Sequence, residues 1–339
     1  MMLSGKSTWL FPNKPKIIST GVIGGPFEAD SNLSKDFDYF KDDLWMEQAS
    51  FEKAQQLLLE DASKLAVKKA QINEKDINLF ISGDLMNQIT PTTFAAKMLQ
   101  HPYLGIFSAC ATTTEGLALA ALITNNHSGK YILTGAASHH AATERQYRYP
   151  TEYGGQKPPT SQWTVTGAGC AIVSTEGEGP VVTSATLGKV IDMEMTDPFH
   201  MGGAMAPAAV DTILTHFKDQ NIDASYYDLI ITGDLGKIGS SICFDLLKQR
   251  GLHLQRKQYE DCGAMIYKES QPVFSGGSGA ACPAVVTYGY LVNEMKKQTY
   301  NKILIVATGA LHSPLTVKQG DSIPCIAHAI SLENEGDQE

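Results

Sequence analysis

The chain has 339 residues, 43% of them hydrophobic and 19% charged, with a formal net charge of -9 at pH 7. Such a chain can bury a sizeable core as one large or two similar domains, and its acidic balance gives no footprint for nucleic acid. No apolar run approaches the roughly 18 residues that span a bilayer, and the opening Met1 to Trp9 lacks a secretory apolar region, so a cytosolic compartment without a transmembrane segment is expected.

Along the chain, the first strong pattern is Phe51, Ala54, Leu58, Ala62 and Leu65 at helical spacing. A short loop leads from this helix into Ile72 to Leu85, INEKDINLFISGDL, an apolar strand that ends in Gly-Asp. Next, a short apolar run ends at Cys110, and a helix of small and apolar residues follows from Thr112 to Leu122. Thr112 and Glu115 have the spacing of a capping box, which starts the helix within a residue or two of Cys110. The free N–H groups and positive dipole end of such a start favour anions and thiolates. Cys110 is therefore a candidate nucleophile or the floor of an anion site. The nearest candidates to take its proton are His139 and His140, just beyond the strand Ile132 to Ala136.

His139 to Lys157 is the most basic and aromatic stretch of this acidic chain, combining His139, His140, Arg145, Arg148 and Lys157 with Tyr147, Tyr149 and Tyr153. Arginine clamps carboxylates and tyrosine stacks on planar rings, so ligand-facing side chains are expected here. A second helical pattern follows in Pro207, Val210, Ile213, Leu214 and Phe217, and a second strand in Ile222 to Leu235, IDASYYDLIITGDL. The loop Ser275, Gly276, Gly277, Ser278, Gly279 then opens a helix from Ala280 to Lys297, with N–H groups that an anion could approach closely. The six cysteines, Cys110, Cys170, Cys243, Cys262, Cys282 and Cys325, show no Cys-x-x-Cys pair and no Cys/His cluster at metal spacing, so neither zinc nor a structural disulfide is expected.

These elements repeat. Ile72 to Leu85 aligns without a gap on Ile222 to Leu235, Phe107 to Cys110 with Phe274 to Gly279, and Ile132 to Ala136 with Val306 to Ala310. Three ordered matches indicate a duplication, with halves at residues 1–175 and 176–339. Strands alternating with helices predict mainly parallel sheets. The two most apolar helices, from Thr112 and from Ala280, belong between the sheets. The result is an α/β five-layer αβαβα sandwich that aims Cys110 and the Gly276 to Gly279 loop at one central cleft. Asp84 and Asp234, closing the repeated strands, are expected to act as turn or cap residues.

Duplicated α/β halves with a cysteine at the start of a buried helix resemble the thiolase and ketoacyl synthase superfamily over nearly the whole chain. The segments Ala136 to Pro158, Met205 to Ala209 and Ser322 to His328 resemble, more closely, the stage V sporulation protein AD family of spore-forming bacilli. That resemblance implies a thiolase-like protein that binds dipicolinic acid and supports its uptake, with calcium, into the developing spore. Its implied partners are the membrane proteins of the same operon and a second copy in a homodimer. Its implied location is peripheral, on the cytoplasmic side of the forespore or spore inner membrane. No cofactor is implied, with calcium entering only as part of the ligand. Condensing enzymes of the superfamily pair their cysteine with His and Asn, or with His and a second Cys, from the second half. By repeat alignment that His would fall near Thr232, Gly233 or Asp234, and none is a histidine. The expectation is thus a non-catalytic ligand cleft formed by Cys110, His139, His140, Arg145, Lys157, Ser275, Gly276, Gly277 and Ser278. The alternative is a Cys-dependent acyltransferase or decarboxylating condensing enzyme in which His139 or His140 serves Cys110.

Overall fold

A computed structural model describes residues 2–147 and 157–335. The first half contains β1 (Lys16–Gly24), α1 (Phe51–Ala70), β2 (Ile77–Gly83), α2 (Thr90–Leu99), β3 (Tyr103–Gly105), α3 (Thr112–Asn125), β4 (Tyr131–Ser138), α4 (His140–Tyr147) and β5 (Gly167–Ser174). The second contains β6 (Val181–Leu187), α5 (Met201–Gln220), β7 (Leu229–Thr232), α6 (Gly236–Gln249), β8 (Tyr259–Asp261), β9 (Lys302–Ala310), α8 (Pro314–Gln319) and β10 (Cys325–Glu333). Between β8 and β9 lies α7, residues 281–296, which is α-helical over Ala281–Val285 and Val292–Lys296 with a π-helical turn at Val286–Leu291.

The duplication is visible in register as well as in order, for α1 and α5 are both 20 residues long and begin at Phe51 and Met201. In α1 the physical causes are plain. Ser50 accepts the Lys53 N–H at the start, Ala54, Leu58, Ala62 and Ala66 form the buried stripe, and Gln71 ends the helix in a left-handed conformation.

The strands form one continuous order that divides at a single bridge, Val181 of β6 to Lys16 of β1, into a first sheet β3-β2-β4-β5-β1 and a second β8-β7-β9-β10-β6. In each, the first three strands are parallel and the last two pairings are antiparallel. The expected mainly parallel sheets are therefore mixed. Of the connections from β4 to β5 and from β9 to β10, the described helices are only the short α4 and α8, and a strand entering without a crossover helix over the sheet face returns antiparallel.

Helix α3 touches β2, β4 and β5 of one sheet and β6, β9 and β10 of the other, while α1 covers the outer face of the first sheet and α5 that of the second. This is the five-layer sandwich. Its middle layer holds a core in which Ile81 and Ile132 of the first sheet, Leu117 of α3 and Ile231, Ile305 and Ile330 of the second sheet join. β5 ends at Ser174 and β6 opens at Val181. The N-terminal hairpin crosses that division, since its strand Thr8–Leu10 pairs with β6.

Candidate functional site

Cys110 lies in a single 3-10 turn, Ala109–Ala111, that leads directly into α3. Ala109 has a left-handed φ of 49°, an unfavourable conformation for a residue with a Cβ. The tight turn is accommodated by Gly309 of β9, where an added Cβ would stand 2.1 Å from the Ser108 carbonyl oxygen. The expected capping box does not form: the Thr112 hydroxyl turns back to the Ala109 carbonyl at 2.7 Å, and Ala111, without a side-chain cap, opens the helix. The helix start follows Cys110 as predicted; the preceding turn supplies its termination instead.

Cys110 is buried at the floor of a narrow cleft where the start of α3, the end of β9, α4 and the start of α5 converge. Thr143 and Tyr147, one helical turn apart on α4, face it together with Ser278, Gly279, Met201 and His312. The Tyr147 and His312 rings stack with centroids 5.1 Å apart and planes 14° from parallel. The Tyr147 hydroxyl is anchored on the Leu85 carbonyl.

The decisive neighbour of the thiol is Asp234, which is completely buried. Its carboxyl accepts from the Ser278 hydroxyl, the Gly279 N–H and the Thr308 hydroxyl, each at 3.0 Å, and faces the Cys110 thiol. Burial, followed by the charge and hydrogen bond of Asp234, pushes the Cys110 thiol well above its ordinary value. Burial raises the Asp234 carboxyl too, against the pull of the thiol, Gly279, Ser278 and Thr308. The cysteine is thus held as a neutral thiol next to an acid. Asp84, its counterpart in the first half, is the cap that was expected: its carboxyl accepts the Met86 and Thr92 N–H groups and the Thr92 hydroxyl.

The Gly-rich loop does hold a carboxyl group, but it is the protein's own Asp234. Ser275 binds the start of α6, its carbonyl accepting Lys237 N–H at 2.6 Å and its hydroxyl Ile238 N–H at 3.3 Å. Gly276 accepts Trp163 N–H and Gly277 the Gln162 amide, so neither faces the cleft. Only Ser278 of the four expected loop residues lines it.

Four further expected ligand contacts are directed elsewhere. Strand alternation aims Ser138 inward, where it receives Ala281 N–H, so His139 turns to the outer face, bonding the Leu44 carbonyl at 2.9 Å and stacking on Phe51. Burial lowers His139 to about 4. His140 stacks on Trp163 with centroids 3.7 Å apart. Arg145, two positions from both Thr143 and Tyr147, points away from their face and pairs with Glu52 at 3.2 Å. Lys157 pairs with Glu144 at 3.2 Å and lies over the Trp163 ring. Arg148, Tyr149 and Tyr153 lie outside the described residues. The pairing of Cys110 with either histidine is not present.

A second histidine stands behind the Cys110 turn. His328 on β10 accepts Gly188 N–H at Nδ1, which leaves Nε2 to carry the proton toward the Ser108 hydroxyl at 3.4 Å. Burial lowers it to about 4. It therefore supports the turn as a neutral ring. Among the described residues, no group of three His, Cys, Asp or Glu side chains could hold a metal ion.

Two residues of the site, Asp234 behind the cleft and His312 in its lining, were not anticipated in their roles. Asp234 stood at the repeat position of the enzymes' histidine, which was the available signal. His312 occupies the repeat position of Ser138, two residues past the Gly-Ala pair that both strands carry, and nothing in its local sequence marks it.

Comparison with solved structures finds the fold in 3-oxoacyl-[acyl-carrier-protein] synthase III from Aquifex aeolicus VF5, with a TM-score of 0.59 at 13% identity over 94% of this chain and 99% of that one. It is also found in a cerulenin-bound OleA from Xanthomonas campestris, with a TM-score of 0.62 at 12% identity over 96% and 100%. The stage V sporulation protein AD of Bacillus subtilis (strain 168) is 46% identical over 336 residues, 99% of each chain. The family model for stage V sporulation protein AD matches residues 5–333. The two halves, the cleft between them and the sequence along almost their whole length together make this chain a member of the stage V sporulation protein AD family.

Proposed function

We propose that this protein is a non-catalytic member of its fold that binds dipicolinic acid, or its calcium chelate, in the Cys110 cleft and supports its uptake into the developing spore. The observation that carries this reading is the buried Asp234 carboxyl beside the thiol. A condensing nucleophile needs a partner that takes its proton and stabilises the thiolate; a carboxyl held in a dry site opposes the thiolate. The cleft instead offers features that suit a flat ring: the Tyr147–His312 stack and the Thr143 hydroxyl, which has no hydrogen-bond partner among the described residues.

Charge favours the chelate. The described lining residues include no lysine or arginine, and the loop N–H of Gly279 is already given to Asp234. A dianion entering there is poorly compensated, whereas calcium neutralises the two carboxylates of dipicolinate before entry. Calcium is then cargo, and no cofactor is needed. Calorimetry with dipicolinate, with and without calcium, tests this: saturable binding that Tyr147→Ala and His312→Ala weaken supports the cleft, and undiminished binding in both moves the site elsewhere.

The enzyme alternative, an acyltransferase or decarboxylating condensing enzyme, retains one observation in its favour, the thiol at the start of a buried helix. Mass spectrometry after incubation with acyl-CoA separates the two, because an acyl adduct on Cys110 contradicts a purely binding role.

For partners, the reading adds a homodimer and the membrane proteins of the same operon. Among the described residues β3 pairs with β2 alone and leaves its other edge open, and Phe94, Met98, Leu104 and Phe107 are exposed on and beside it, which suits a second copy joining edge to edge. No helix among the described residues is long and apolar enough to cross a membrane. A place at the cytoplasmic side of the forespore or spore inner membrane therefore rests on protein contacts.

A further inference from the structure

Among the buried acids that lie outside the cleft and are used by none of the chemistry above, Glu28 stands where the two halves meet. Glu28 is completely buried, on a segment of the first half that reaches across to the second. Asn32 of that segment donates from its backbone to the Ile266 carbonyl at 2.9 Å and from its side chain to the Tyr267 carbonyl at 2.8 Å. The Gln271 amide returns to the Phe27 carbonyl at 3.0 Å. Within this junction the Glu28 Oε1 accepts two donors, the Tyr267 hydroxyl at 2.5 Å and the Thr166 N–H at 3.1 Å. Its Oε2 is buried with no hydrogen-bond partner among the described residues.

Those two donors flank the wall of the cleft. Thr166 follows the short strand Trp163–Thr164, which pairs in parallel with Gly277–Ser278. Trp163 N–H binds the Gly276 carbonyl and Val165 N–H the Ser278 carbonyl. Thr164, Ser278 and Gly279 all line the cleft. Phe27, next to Glu28, stacks on Trp163 with centroids 4.7 Å apart. One carboxyl thus ties the first half to both sides of the strand pair that carries the cleft wall.

We infer that Glu28 is a positioning residue for the cleft, clasping the 163–164/277–278 strand pair between the two halves, and that the protonation state of its carboxyl sets how firmly the clasp closes. Burial raises this carboxyl from 4.5 to about 7, against the hydrogen bonds from Tyr267, from the Thr166 backbone and from the backbone of Glu28 and Gly25. The groups that face the junction are the Tyr267 hydroxyl, the His140 ring on the far side of Trp163, Lys157 with Glu144 over the same indole, and the Asp30–Lys268 pair at the rim. An opened clasp exposes Glu28 to water and returns it to an ordinary value. Between pH 6 and 8 the closed form must therefore ionise a buried group that the open form ionises freely, and opening becomes about tenfold more favourable. The clasp tightens on the acid side and loosens above neutrality.

Amide hydrogen exchange reads this directly, without any ligand, so its failure and that of the dipicolinate reading are separable. Wild type and Glu28→Gln are compared at pH 6 and pH 8, after correction for intrinsic exchange, at the amides of residues 163–166 and 277–279. The ratio of wild-type to variant opening should rise about tenfold from pH 6 to pH 8. A ratio that does not change with pH overturns the inference. Tyr267→Phe supplies a second arm that keeps the carboxyl: losing a donor that stabilises the ionised form should displace the wild-type transition to higher pH. A transition left in place contradicts the clasp.

Discussion

Replacing Asp234 by asparagine should make the Cys110 thiol more reactive, since it removes the charge that comes second to burial in raising its value. The side chain keeps its shape and one acceptor oxygen for Ser278 and Gly279, and the Thr308 hydroxyl can rotate to accept the new amide. The expected loss of stability is about 1–3 kcal/mol, the cost of one imperfectly satisfied buried group. The effect on Cys110 has the opposite sign. Two unit negative charges about 4 Å apart at an effective dielectric near 20 repel by about 4 kcal/mol, and that repulsion disappears when Asp234 is neutral. Recovering only a third of it, about 1.4 kcal/mol, raises the thiolate fraction tenfold at a pH below the thiol's own value. The assay is iodoacetamide labelling at pH 8, quantified at the Cys110 peptide against the other five cysteines, all of them buried. At least a tenfold faster labelling of Asp234→Asn is expected. An unchanged or slower rate would show that Asp234 does not hold the thiol protonated, and the argument against nucleophilic chemistry would fail with it.

Other perturbations test separate parts of the account. His216, bonded to Thr186 and Tyr227 at 2.7 Å each, is lowered by burial to about 4. Its stabilising neutral form is present above about 6.5 and lost as pH falls toward 4, so the stability advantage of wild type over His216→Gln should shrink by about 3 kcal/mol between pH 7 and pH 4; a difference independent of pH refutes that environment. Gly309→Ala places a Cβ 2.1 Å from the Ser108 carbonyl and should cost about 1–3 kcal/mol or more in chemical denaturation while disturbing the Cys110 turn. A neutral outcome would mean that the turn is not tightly held. Arg145→Ala breaks only an exposed ion pair with Glu52 and should change stability by less than about 1 kcal/mol, with no effect on dipicolinate affinity in calorimetry. Weakened binding would return Arg145 to the site.

The architecture was legible because the duplication left its marks in residues that build the core. Gly83-Asp84 and Gly233-Asp234 close strands at the same register, and the apolar helices after Cys110 and Gly279 have too little polar surface to lie anywhere but the middle layer. The directions of β5 and β10 were not legible, since an antiparallel return depends on what connects the strands rather than on their composition. At the site, the sequence placed Cys110 and Ser278 but misdirected the charged residues. Arg145 and Lys157 look like ligand contacts only until their partners Glu52 and Glu144, both well separated from them in sequence, are known. His139 was turned outward by the alternation that turns Ser138 inward. Asp234 read as a turn or cap residue from its symmetric placement with Asp84 at the strand ends; only the approach of the two halves sets it against the thiol.

The most direct test of the central claim is calorimetry of calcium dipicolinate against wild type and Met201→Trp, whose indole would fill the cleft from its α5 side. The account predicts saturable binding to wild type and its loss in the correctly folded variant, with no covalent adduct on Cys110. Absence of binding to wild type, or binding that survives the filled cleft, would contradict it.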